Sequence, residues 1–160
     1  MLNCQLHTCE LKIPPPLLFI ATAALMWLVS YLVPQCTLEL PLGLRVSAAL
    51  ILFVFSAIVG LGATYQFIYH RTTLLPFAPE KSRLIVATGV YGLSRNPMYL
   101  SLAGTLFALG LYLANPLALI VPFLFIAAIT HVQIKPEERI LLQRFGEEYR
   151  RYSEHVRRWL

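Results

Sequence analysis

The chain has 160 residues, 58% hydrophobic and 13% charged, with 13 Lys and Arg against 8 acids and a net charge of +5. A soluble domain of this size has too little interior to hide so much apolar side chain, and the charged fraction is about half the ~25% of ordinary globular proteins. A mean hydropathy of +0.65 fits an all-α polytopic membrane protein, in which the basic excess reads first as an orientation signal.

At the N-terminus, Glu10 and Lys12 precede the first apolar run and no small-residue cleavage site follows promptly, so no signal peptide is expected. Cys4, His7 and Cys9 lack a fourth ligand nearby, and with Cys36 the thiols are too few for a disulfide framework. Free cysteines in a reducing compartment and no metal site are the expectation.

Four apolar stretches follow, predicted as spans over Leu17–Val33, Val46–Tyr69, Met98–Ala114 and Pro116–Ile134. A span needs roughly 17 to 25 residues; Met98–Ala114 is at the lower limit, and the last is apolar only from Pro116 to Thr130, about 15 residues, reaching Ile134 by admitting His131 and Gln133. Only Asn115-Pro116 separates them, a turn dipeptide that predicts a tight helical hairpin; a re-entrant hairpin is the alternative.

Basic residues set the direction. His70–Asn96 holds Arg71, Lys81, Arg83 and Arg95, and the tail after Thr130 holds seven more, whereas the two opposite connections carry only Arg45. With four spans, both termini and the central loop face the cytosol, placing the chain in the inner or cytoplasmic membrane. The expected organisation is a single domain over 1–160: a membrane hairpin, a cytosolic loop, a second hairpin and a basic tail.

In the loop, Pro76, Pro79 and Pro97 restrict the backbone while Gly89 and Gly92 allow tight turns. Asn96 is biased away from helical geometry, so Pro97 is expected to open the third span, with N–H groups free to seat a polar ligand. No Walker or dinucleotide-binding sequence is present.

The tail begins Lys135-Pro136-Glu137-Glu138, a helix-start signal with two acids at the positive end of the dipole. Leu141, Phe145, Tyr149, Tyr152, Val156 and Trp159 then make one apolar stripe between arginines, predicting an amphipathic helix over 136–158. It would lie on the membrane surface or fold back on the bundle. The aromatic residues share the stripe instead of alternating with the basic ones, which argues against nucleic acid as a partner.

The run TGVYGLSRNPMY (Thr88–Tyr99), the hairpin turn at Asn115-Pro116, and PEERILLQRFGEEYRRY (Pro136–Tyr152) together resemble a membrane-embedded methyltransferase family. That family includes isoprenylcysteine carboxyl methyltransferases, phospholipid N-methyltransferases and many short bacterial relatives. The resemblance implies S-adenosylmethionine as donor, S-adenosylhomocysteine as product and a lipophilic acceptor in the bilayer. It also implies donor contacts from Arg83, Leu84, Ile85, Val86, Tyr91, Asn96, Pro97, Met98, Tyr99 and Glu137. Glu138, His131 or Tyr99 could orient the acceptor or take its proton. Two positions depart from the isoprenylcysteine enzymes: Gln133 replaces the arginine that meets the substrate carboxylate, and Asn96 replaces a histidine. Losing that cation argues against a prenylcysteine carboxylate as acceptor.

Two other classes fit the composition. A four-span transporter would need an ionisable residue near the midplane, and the first three spans have none. A lipid-binding membrane scaffold without catalysis would need only the basic tail.

Overall fold

The computed structural model describes residues 14–69 and 87–160. Cys4, His7, Cys9, most of the central loop and the expected donor contacts Arg83, Leu84, Ile85 and Val86 lie outside the described residues. Every described element is helical: α1 (Pro15–Leu32), α2 (Leu42–Tyr69), α3 (Pro97–Leu113), α4 (Pro116–Ile129), α5 (Lys135–Phe145) and α6 (Glu147–His155). Short 3-10 turns fall at Pro34–Cys36 and Gly89–Gly92 and a π turn at Thr130–Ile134. Proline opens α1, α3 and α4, where its missing N–H costs no helical hydrogen bond.

Three helices are long and apolar enough to cross a membrane: Pro15–Leu32, Leu42–Gln66 and Pro116–Phe145, while Pro97–Leu113 is a shorter apolar helix. The first two begin earlier than the hydropathy pattern suggests. Arg45, expected in a loop, is inside α2, and its guanidinium donates to the Tyr112 carbonyl at 2.9 Å.

The helix expected to start at Pro136 does not start there. From Pro116 the chain is helical without a break to Phe145, 30 residues or about 45 Å at 1.5 Å per residue. Pro136 cannot donate to Val132, and its ring would press on that carbonyl in an α-helix. The backbone answers by widening: the Lys135 N–H bonds the Thr130 carbonyl five residues back. The apolar part ends at Ile134, so α5 projects beyond a ~30 Å hydrocarbon layer.

The single tail helix is likewise corrected. It breaks at Gly146, whose φ of 53° and ψ of −120° suit a residue without a Cβ. The second piece, α6, ends at His155 and Val156 is extended. The apolar stripe passes across the break, which is why its spacing hid the glycine.

Packing also departs from two sequential hairpins. α3 and α4 form the expected hairpin, but α2 lies along α3, while α1 packs on α4 and α3. Small residues let α2 and α3 approach closely. A Cβ on Gly60 would stand 2.5 Å from the Ser101 hydroxyl, and one on Gly104 would collide with Ser56. Gly104→Leu is therefore expected to cost about 1–3 kcal/mol by overpacking, read as a lower melting temperature. Gly43→Ala, facing open space, should be neutral or slightly stabilising.

Met26, Tyr99, Leu106, Leu113, Val121, Phe125, Ile129 and Ile134 form the core of α1, α3 and α4. At the end away from the charged tail, Asn115 closes the hairpin. Its side-chain Oδ1 accepts from the Leu117 and Ala118 N–H groups, and its side-chain amide donates to the Val33 carbonyl at 3.0 Å. Ala114 takes a left-handed φ of 51° to make the turn.

Candidate functional site

Gly89 adopts a φ of 57°, and a Cβ there would run into the Gln66 amide of α2. The turn that follows buries Tyr91, with Val90 and Met98 packed around it and Ala63. Asn96 is non-helical (φ −131°, ψ 54°), and no side chain caps the first turn of α3. The first intrahelical bond runs from the Leu100 N–H to the Asn96 carbonyl. The Met98 and Tyr99 N–H groups precede it, where α-helical geometry supplies no acceptor.

The chain end folds back onto this corner. Arg95 N–H donates to the Arg157 carbonyl at 3.0 Å, while the Ser94 hydroxyl and Asn96 amide reach the Arg158 carbonyl at 3.3 and 3.0 Å. From α6, the Tyr152 hydroxyl donates to the Tyr91 carbonyl at 2.7 Å. Burial pushes the Tyr152 phenol above its ordinary pKa, so it stays a donor at physiological pH.

Inside the corner, the Tyr99 hydroxyl donates to Glu137 Oε1 at 2.7 Å. This bond joins the start of α3 to α5 and so links the two sequence motifs. Burial pushes the Glu137 carboxyl up to about 8, with the Tyr99 hydrogen bond opposing that rise and the Glu138 charge adding to it. The consequence for stability follows from linkage. Below the ordinary carboxylate range both folded and unfolded chains hold the proton. Between about pH 4.5 and 8 the unfolded chain releases it first, so stability falls as pH rises. Glu137→Gln should therefore melt like the wild type near pH 5 and higher at pH 8, by on the order of 2 kcal/mol. A constant gap across that range would contradict the buried carboxyl.

Gln133, four residues before Glu137, is fully buried. The expected donor-binding residues that are described therefore converge: Tyr91, Asn96, Pro97, Met98, Tyr99 and Glu137 surround one corner. The expected catalytic residues do not. Tyr99 is in the corner, but His131 and Glu138 line a different cavity, with Lys135, Arg139 and Leu142. Both oxygens of Glu138 are engaged, by Arg158 at 2.9 and 2.7 Å and by Arg95 at 3.3 Å.

Several contributors have little signal in the sequence. Gln66 is a lone amide near the end of an otherwise apolar helix, and its Oε1 is buried without a hydrogen-bond partner. Ser94 and Tyr152 act through backbone carbonyls, which no side-chain motif discloses. Among the described residues, no group of three or more His, Cys, Asp or Glu could hold a metal ion.

A buried carboxylate, two phenols and first-turn N–H groups can together hold a ligand bearing an ammonium or hydroxyls and a carboxylate. Set at the end of apolar helices, they define an integral membrane protein with a polar corner. The sequence pattern of the phospholipid methyltransferase family matches residues 44–148. The chain belongs to that family. It is 51% identical over 63 residues to an uncharacterised protein of Haemophilus influenzae, a stretch covering 39% of this chain and all of that one. It is 34% identical over 77 residues to the protein-S-isoprenylcysteine O-methyltransferase of Saccharomyces cerevisiae. That match covers 48% of this chain and 32% of the yeast enzyme. No solved structure matches.

Proposed function

We propose that the protein is an integral membrane methyltransferase that uses S-adenosylmethionine and acts on a lipophilic acceptor. The observation that carries this reading is the Tyr99–Glu137 hydrogen bond, which closes a polar corner from the two family motifs. In this reading Pro97–Leu113 is a fourth span paired with α4, and the basic side faces the cytosol.

S-adenosylmethionine, when bound, supplies a methyl group on a sulfonium, which leaves as a neutral thioether. The chain's residues fit it. The Glu137 carboxylate would accept from its ammonium or ribose hydroxyls, and the Met98 and Tyr99 N–H groups would donate to its carboxylate. Tyr91 and Met98 would flank the adenine, and the unpartnered Gln66 Oε1 stands ready for an N–H donor. Catalysis then rests on alignment and on keeping water out. In this reading Tyr99 would orient the acceptor. The neutral Gln133 amide suits a neutral polar group on that acceptor better than a carboxylate.

The test is incubation of purified protein in lipid nanodiscs with radiolabelled donor and a membrane extract. The reading requires label in the organic phase and saturable binding of S-adenosylhomocysteine. Absence of either would remove it.

A further inference from the structure

A cavity of about 510 Å³ opens between α5, α6 and the residues around Arg95, within the size range of small-ligand sites. It stands on a different face of the helix from the methyl-donor corner. Along α5 and the π turn, Gln133 and Glu137 share one face, whereas His131, Lys135, Glu138 and Leu142 recur at intervals of 4, 3 and 4 on another.

Five cationic side chains line this groove: Arg95, Lys135, Arg139, Arg150 and Arg158, against the single carboxylate of Glu138. That carboxylate is shared between Arg95 and Arg158. Arg95 is the inner wall, its side chain 13% exposed, and its Nε is a buried donor with no acceptor. A buried guanidinium N–H without a partner is costly, and an anion in the groove would satisfy it. Glu147 meets Arg150 at 3.4 Å only on the exposed rim.

Depth selects the kind of anion. The groove begins at His131, before the apolar stretch ends at Ile134, and reaches Leu142 beyond it. The eleven helical steps from His131 to Leu142 cover about 16 Å, which sets the cations at headgroup level beside the hydrocarbon edge. Leu142 and Tyr149 give it an apolar flank.

We propose that this groove binds the phosphodiester headgroup of an anionic phospholipid that is not the methyl acceptor. The lipid bridges α5 to α6 and the Arg95 corner, holding the folded-back tail against the bilayer. The site stands independently of the methyl-transfer reading.

The probe is phosphatidylglycerol, which has no amine, thiol or carboxylate to methylate, titrated into the detergent-solubilised full chain while its melting temperature is followed. Phosphatidylglycerol should raise the melting temperature saturably, whereas phosphatidylcholine and inorganic phosphate at equal concentration should not. Lys135→Glu with Arg139→Glu should raise the half-saturating lipid concentration about tenfold or more and leave S-adenosylhomocysteine binding unchanged. Arg150→Glu, on the exposed rim, should weaken the same response and serves if the double variant does not fold. Equal responses to the two lipids, or a double variant that responds like wild type, would overturn the site. A full response to inorganic phosphate would overturn its assignment to lipid. Loss of S-adenosylhomocysteine binding in the double variant would overturn its separateness. Failure of the wild type to bind S-adenosylhomocysteine would sink the methyl-transfer reading while leaving a selective lipid response standing.

Discussion

Glu137→Ala is expected to lower the affinity for S-adenosylhomocysteine by about ten- to a hundredfold, the effect of losing a charge-assisted hydrogen bond in a sheltered site. Among the described residues the Glu137 carboxylate is the one acidic group in the corner formed by α3 and α5, and Tyr99 holds one of its oxygens at 2.7 Å. Removing it strands the Tyr99 hydroxyl as well, so two ligand-facing groups lose definition at once. Tyr99→Phe keeps the carboxylate and should weaken binding less, by about three- to tenfold. The proton held by Glu137 adds a signature. A carboxyl pushed up to about 8 must ionise to meet a cationic ligand, so binding of the cationic donor should release protons near neutral pH. Calorimetry in two buffers of different ionisation enthalpy reads both the affinity and that release. An unchanged affinity in Glu137→Ala would take the residue out of the site.

How much of this was visible beforehand depends on whether a feature is local. Asn115-Pro116 announces its turn because the cap, the left-handed residue and the N1 proline are neighbours in sequence. Pro97 opens α3 for the same reason. The π turn before Pro136 was not legible, because Lys-Pro-Glu-Glu is equally a good helix start; only the preceding helix, arriving in register, decides otherwise. Gly146 was hidden by a stripe of apolar residues that keeps its spacing across the kink. The pairing of α2 with α3 depends on Gly60 and Gly104 meeting Ser101 and Ser56, a complementarity between segments some forty residues apart. Tyr99 and Glu137, which meet in the corner, stand in the two motifs that carry the family resemblance. The separation of Glu138 from Glu137 was not legible, since adjacent residues on a helix point about 100° apart and only the tail shows which one turns toward arginine.

That separation yields the second large effect. Glu138 is one of three residues, with His131 and Tyr99, expected to orient the acceptor or take its proton, and its oxygens are occupied by Arg158 and Arg95. The Glu138 hydrogen bond is also the main cause that raises the Arg158 guanidinium above its ordinary pKa. The geometry suits a latch. The same Arg158 offers its carbonyl to Ser94 and Asn96, so the ion pair fixes the backbone that braces the Asn96-Pro97 corner. Glu138→Gln leaves two guanidinium groups facing each other without a counter-charge. Since Arg158 is about one-third exposed, at 36%, the loss should be about 1–3 kcal/mol rather than the ~3–5 kcal/mol of a fully buried pair. Arg158→Ala should reproduce the lower melting temperature, and the double variant should cost less than the two losses added. Donor affinity should weaken in all three while turnover at saturating donor falls little. A proton-transferring Glu138 would behave differently: Glu138→Gln would abolish turnover at unchanged stability, and Arg158→Ala would not resemble it.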